Sequence, residues 1–213
     1  EQRIMRVDAG GKLSEYVNLS KIACGPLNDL VVDYKGRCYV GDWGYTVMPK
    51  KGEPTDPHMI LVTPDGKSKV VSNQVRFPNG AAVTADNKTL IVADTGLRNL
   101  TAFDINADGS LKNYRVWAEL GQGCIPDGIC LDEENGVWVT NPLSNDVTRV
   151  LEGGKVADKI TLEKRSYSCV LGGPKRKHLY LTTADPGMYA DLKDKRSGRL
   201  EVVEVDVPGA GIP

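Results

Sequence analysis

Several things are missing from this sequence, and each absence closes off a class of function. No apolar run approaches the roughly 18–20 residues needed to span a bilayer, so no membrane helix is expected. The formal net charge is -1, which gives no electrostatic reason to expect nucleic acid or an anionic membrane as a partner. No segment sustains a helical apolar period, and this argues against βαβ architecture. Neither a serine nucleophile elbow nor a P-loop occurs. The only histidines, His58 and His178, have no partner at ligand or triad spacing and are expected on the surface. The five cysteines (Cys24, Cys38, Cys124, Cys130, Cys169) are odd in number and lack CxxC spacing. Cys38 and Cys130 sit inside apolar strand patterns, so buried thiols are expected rather than a disulfide framework. Asn-x-Ser/Thr triplets at Asn18, Asn87 and Asn99 are common by chance and carry little weight.

What the sequence does have is turns. Its 23 glycines and 12 prolines are spread along 213 residues, the pattern of many short elements in one sizeable core rather than of a linker. A repeat runs through them. Asn28-Asp29-Leu30-Val31-Val32-Asp33 is followed by Gly36 and Cys38-Tyr39-Val40-Gly41-Asp42. Pro78-Asn79-Gly80-Ala81-Ala82-Val83 is followed by Asn87 and Leu90-Ile91-Val92-Ala93-Asp94. Pro126-Asp127-Gly128-Ile129-Cys130-Leu131-Asp132 is followed by Gly136 and Val137-Trp138-Val139-Thr140-Asn141. A weaker copy pairs Ser168-Cys169-Val170-Leu171 with Leu179-Tyr180-Leu181-Thr182-Thr183 and offers no polar residue at the repeated place. Asn28, Asn79 and Asp127 are 51 and 48 residues apart, a spacing typical of propeller blades.

A second kind of hairpin alternates with these copies, turning at Gly10-Gly11, Pro64-Asp65-Gly66, Asp108-Gly109 and Gly153-Gly154. One inner and one outer hairpin make a four-stranded blade. The nearly continuous apolar first strands suit burial on both faces between neighbouring blades. Asn28, Asn79 and Asp127, just ahead of those strands, then converge on one mouth of a central channel.

The residues that form this pattern resemble the gluconolactonase/regucalcin (senescence marker protein) family. The resemblance rests on Leu27-Asn28-Asp29 with Asp33, Pro78-Asn79-Gly80, Pro126-Asp127-Gly128, Val92-Ala93-Asp94-Thr95 with Arg98, Thr101-Ala102-Phe103-Asp104 and Gly172-Gly173-Pro174. It implies an all-β, six-bladed β-propeller of four-stranded antiparallel blades, with one divalent metal at the axial mouth and hydrolysis of sugar lactones or other cyclic esters. It makes Asn79 and Asp127 metal ligands, Asp127 also the general base, and Asn28 a residue that approaches metal or substrate. An all-oxygen set without cysteine suits Ca²⁺ first, with Mg²⁺ or Mn²⁺ close behind and Zn²⁺ also possible. Such a cation polarises a carbonyl and lowers the pKa of water, and a carboxylate beside that water accepts its proton. The sequence departs from the family at its start, where nothing matches the family's first-blade Glu ligand. Residues 1–213 are therefore expected to form a single, N-terminally incomplete propeller domain of about four to four and a half blades. The chain opens at Glu1 without Met or signal peptide, and a cytoplasmic location is expected.

Around the mouth, Trp43, Tyr45 and Met48 in the loop 41–57 wall an apolar pocket or simply pack the loop. Arg98 orients a substrate oxygen or is an exposed structural residue. The segment 183–189, with Asp185 and Tyr189, enters the same mouth, and 193–196 is a solvated charged loop. Asp29, Asp33 and Asp132 are expected to satisfy backbone groups in turns. The expected function is metal-dependent opening of a small lactone or ester, with no assignment of oligomeric state. Alternatives are a phosphotriester or activated-ester hydrolase on the same site, a non-enzymatic calcium-binding or interaction propeller and, more distantly, a strictosidine-synthase-like propeller.

Overall fold

The computed structural model describes residues 2–44, 56–187 and 194–211. Among these, all regular structure is β. Strands β1 (Arg3–Val7) and β2 (Leu13–Asn18) form a hairpin. Three four-stranded antiparallel sheets follow: β3 (Leu27–Val32), β4 (Cys38–Asp42), β5 (Met59–Val62) and β6 (Ser68–Ser72); β7 (Pro78–Val83), β8 (Thr89–Asp94), β9 (Asn99–Ile105) and β10 (Leu111–Glu119); β11 (Ile129–Leu131), β12 (Val137–Val139), β13 (Asp146–Val150) and β14 (Val156–Thr161). A three-stranded sheet of β15 (Arg165–Gly172), β16 (His178–Ala184) and β17 (Arg199–Glu204) closes the series. Each sheet is a blade, about four in all, and the inner strands β3, β7, β11 and β15 lie side by side around the axis.

The continuous apolar runs are explained by burial on both faces. Along β8, Leu90 and Val92 pack with Val31, Tyr39, Met59 and Leu61 of the preceding blade. Alternate residues Ile91 and Ala93 pack with Ile129, Leu131, Val137 and Val139 of the following one. Strand periodicity of two sends successive side chains to opposite faces, so a strand between two blades must be apolar at every position. The third interface joins Trp138 and Val147 to Leu179 and Leu181, with Cys130 and Cys169 between them. Turn chemistry fits as read: Gly66, at φ 80°, closes the β5–β6 hairpin with its N–H on the Thr63 carbonyl at 2.8 Å.

One expectation fails at the first inner strand. Unlike β7 and β11, β3 is not buried on both faces: Leu30 and Val32 are 45% and 43% exposed. Among the described residues no inner strand covers that side. Hairpin β1–β2 leaves against it an open cleft of about 490 Å³ lined by Ile4, Met5, Val7, Leu30, Val32 and Cys38. At the other end of the series, Leu200 and Val202 on β17 are likewise exposed.

None of the cysteines is joined in a disulfide, and Cys38, Cys130 and Cys169 are buried as expected. Asp33 and Asp132 do serve turns. Asp33 accepts the N–H groups of Lys35 and Arg37, and Asp132 those of Glu134 and Gly136. Each also holds a buried arginine, Arg37 at 2.7 Å and Arg149 at 2.6 Å. After β17 the chain runs past the far ends of the inner strands. Gly209 bridges Asp132, the Ala210 N–H reaches the Leu131 carbonyl at 3.0 Å, and the Ala210 carbonyl accepts from the Tyr34 hydroxyl at 3.4 Å. This tail lies opposite the mouth and ties the third blade to the first.

Candidate functional site

The three polar positions share one local device. In β3, Leu27 faces Asp42 and Leu30 faces Val40, so Asn28 and Asp29 together oppose one residue of β4. In β7, Pro78 faces Asp94 and Ala81 faces Val92, which puts Asn79 and Gly80 in the same place. In the third blade the Thr140 carbonyl accepts from Asp127 N–H while the Thr140 N–H reaches the Gly128 carbonyl, both at 3.1 Å, so Asp127 and Gly128 share one partner. Each is a β-bulge, which bends its strand and re-aims the extra side chain.

The bulges also join neighbouring blades. Gly80 N–H donates to the Asp127 carbonyl at 3.2 Å, and Gly128 N–H to the Tyr167 carbonyl at 3.0 Å. Glycine is required for this approach, because a Cβ on Gly80 would sit 2.5 Å from Ile129 N and 2.7 Å from the Asp127 carbonyl oxygen. The register of β15, in which Ser166 faces Thr183 and Ser168 faces Thr182, places Tyr167 at the fourth equivalent position. The weak fourth copy therefore does present a polar side chain to the series. No glycine follows Tyr167, so the motif that marks the second and third copies is missing there.

A second recurring feature shapes the entry to each inner strand. Buried Asp42, Asp94 and Asn141 stand where β4, β8 and the third-blade equivalent end. Asp94 accepts the N–H groups of Arg76 at 2.8 Å, Phe77 at 3.0 Å and Leu97 at 3.1 Å. Asn141 accepts from Ile125 at 3.2 Å and Leu143 at 3.1 Å. Asp42 accepts from Cys24, Gly44 and His58. These side chains fix the loops that deliver the bulges.

The orientation of both amides is settled by their partners. Asn28 Nδ2 donates to the Pro78 carbonyl at 3.0 Å, a group that can only accept. Asn79 Nδ2 donates to Thr95 Oγ1 at 3.3 Å, while that hydroxyl gives its hydrogen to the Pro126 carbonyl at 2.6 Å. Asn79 also hydrogen-bonds the Asp127 carboxylate. Each amide thus spends a hydrogen on the protein and has Oδ1 available for another donor or a cation.

Among the candidate site residues, Asp127 is the carboxyl most altered by its surroundings. Burial pushes its carboxyl up to about 7, the nearby charge of Asp29 adds to the rise, and the Asn79 hydrogen bond pulls the other way. Asp29, although its surface remains open to solvent, is itself raised by the chain packed around it. It does not serve a turn, contrary to expectation: it occupies the bulge position that glycine takes in the next two blades and sets a second carboxylate near Asp127.

The remaining candidates are placed differently. Trp43 follows β4 at the mouth end, half-buried, with its ring edge-on to Phe77 at 5.2 Å. Arg98 is exposed at φ 59° and donates to the Gln122 carbonyl at 2.9 Å. Asp185 is paired with Lys164 at 2.6 Å, and Thr183 is buried with its hydroxyl on Glu201. Tyr45, Met48 and Tyr189 lie outside the described residues, as does Glu1. The two histidines are not plain surface groups: His58 packs against Cys24 and Asp42, and His178 stands edge-on to Tyr180. Asn99 is only 4% exposed, which removes it as a glycosylation acceptor. Among the described residues no cluster of three His, Cys, Asp or Glu side chains is arranged to hold a metal, and no helix is long and apolar enough to cross a membrane.

The chain is 31% identical to regucalcin of Xenopus laevis over 173 residues, which cover 79% of this chain and 58% of the frog protein. It thus spans under two thirds of that relative's length. Among solved structures, a luciferin-regenerating enzyme superposes with a TM-score of 0.82 at 23% identity, over 98% of this chain and 73% of that one. A calcium-binding protein, regucalcin, from Agrobacterium tumefaciens gives 0.79 at 19% identity, over 98% and 71%. These likenesses establish the propeller fold. The family model described as the SMP-30/gluconolactonase/LRE-like region matches residues 1–185, and the chain belongs to that family.

Proposed function

We propose that the intact protein is a hydrolase that opens a sugar lactone or related cyclic ester with the help of one divalent cation. The observation that carries this reading is the convergence of Asn28, Asn79 and Asp127, each aimed by the same bulge, with Asp29 beside Asp127.

The donor chemistry fits a hard cation. The free Oδ1 of Asn79 and the carboxylate of Asp127 would hold it, and the crowding of two carboxylates favours positive charge at that point. Calcium is the first candidate, with magnesium, manganese or zinc also admissible. When bound, the cation would polarise the lactone carbonyl and acidify nearby water. Asp127, the carboxylate of the set, would accept the proton of the attacking water. Asn79 orients that carboxylate. Asn28 and Trp43 would face the substrate, and Arg98 would join them by exchanging its Gln122 carbonyl for a substrate oxygen.

The same reading completes the ring. The exposed apolar faces at Leu30 and Val32 and at Leu200 and Val202 are where further blades of a six-bladed propeller fit. Titrating full-length protein with calcium and then assaying a sugar lactone beside a phosphotriester tests the proposal. Lactone opening that needs the metal supports it. Phosphotriester turnover alone moves the same site to another substrate class. Tight calcium binding without turnover favours a calcium-binding propeller, the second reading, which the likeness to the calcium-binding protein of Agrobacterium supports.

A further inference from the structure

Cys24 lies on the loop that delivers Asn28, and its surroundings set it apart from the other four thiols. Its Sγ is 3.4 Å from His58 Nδ1 and 3.9 Å from Nε2. The same Nδ1 is 3.7 Å from Oδ2 of Asp42, whose side chain is fully buried while that of His58 is 21% exposed. Asp42 is held in place by the backbone N–H groups of Cys24 at 3.2 Å, Gly44 at 2.9 Å and His58 at 3.3 Å. The carboxylate therefore anchors both loops that bring sulfur and imidazole together. One ring nitrogen faces both partners, so this is no relay through opposite nitrogens. The thiol stands within hydrogen-bond reach of the imidazole, and the Asp42 side chain fixes where that ring sits.

None of the other cysteines has this environment. Cys38, Cys130 and Cys169 are buried. Cys124 is half-buried like Cys24, but burial alone acts on it and pushes its thiol up to about 11. A thiolate is the reactive form of cysteine, and a neighbouring imidazolium stabilises it.

We infer that Cys24 is a reactive thiol, a modification site for peroxide and soft carbon electrophiles, activated by His58 and positioned by Asp42. With hydrogen peroxide the sulfur attacks one oxygen as its proton passes to the His58 ring: an S–O bond forms, the O–O bond breaks, and the departing hydroxide takes that proton and leaves as water. Sulfur loses two electrons to the peroxide and Cys24 becomes a sulfenic acid. Because Cys24 N–H and His58 N–H share Asp42, the change falls on the loop that enters β3 four residues before Asn28.

The test is alkylation of the native full-length protein by iodoacetamide near neutral pH, read by peptide mass mapping, with dimedone trapping after peroxide. Cys24 should be labelled about tenfold faster than Cys124 and should carry the dimedone adduct. Denaturation in urea should equalise the two rates. His58→Asn, checked for folding by circular dichroism, should slow Cys24 at least severalfold while leaving Cys124 unchanged. Equal native rates at the two cysteines, or a folded His58→Asn protein with an unchanged Cys24 rate, would overturn the assignment. If that variant does not fold, the native ratio of Cys24 to Cys124 decides alone.

Discussion

The N–H of Gly80 donates to the carbonyl of Asp127 at 3.2 Å, so the residue after one candidate ligand is hydrogen-bonded to the backbone of the other. The mouth is thus assembled by main chain before any side chain acts. Adding a methyl group there meets the Ile129 nitrogen at 2.5 Å and the Gly128 Cα at 2.8 Å, backbone that cannot yield without parting the inner strands. Gly80→Ala should therefore destabilise the protein by about 1–3 kcal/mol, as overpacked interiors do. A lower urea midpoint with an unchanged slope is the expected result.

The elevated pKa of Asp127 sets a direction for stability against pH. Its folded value of about 7 exceeds the unfolded value of about 4, so the native state favours the protonated form. The associated stability is present below about pH 4 and is lost as pH rises through about 7. Metal-free Asp127→Asn protein should escape that loss. Thermal melts in chelator should show the variant gaining on the parent as pH rises over this window. Parallel curves would contradict the burial-driven shift.

Asp29 contributes to the same rise through its charge. Asp29→Asn should lower the Asp127 pKa, which carboxyl carbon NMR can follow directly. A value that stays in place would mean that burial acts alone.

The ion pair of Arg149 with Asp132 is nearly dry, with side-chain exposures of 10% and 0%. Arg149→Met strands a buried carboxylate and should cost about 3–5 kcal/mol in urea denaturation. Lys159→Met removes a partner from the exposed pair with Asp146 and should cost under about 1 kcal/mol.

Much of this architecture was legible because its cause is local. Leu90-Ile91-Val92-Ala93 reads as a strand buried on both faces, and Pro64-Asp65-Gly66 reads as its own turn. The equivalence of Asn28, Asn79 and Asp127 was visible because the strand after each keeps the same pattern. Tyr167 was missed because the fourth copy has no glycine after the polar residue, and only the register of β15 reveals it. Asp29 looked like an ordinary turn residue; its charge matters only because the third blade brings Asp127 beside it. The contact of Cys24 with His58 spans 34 residues and depends on Asp42, which no spacing rule signals. The exposure of Leu30 and Val32 reflects which blade lies alongside, a property of the assembled ring rather than of the strand.

The most direct measurement of the central claim is the rate of sugar-lactone opening by full-length protein, followed in a pH-stat with saturating calcium and again in chelator. The account predicts turnover that needs the metal and falls at least about a hundredfold in a folded Asp127→Ala variant. Lactone opening that persists in chelator, or an Asp127→Ala protein as fast as the parent, would contradict it.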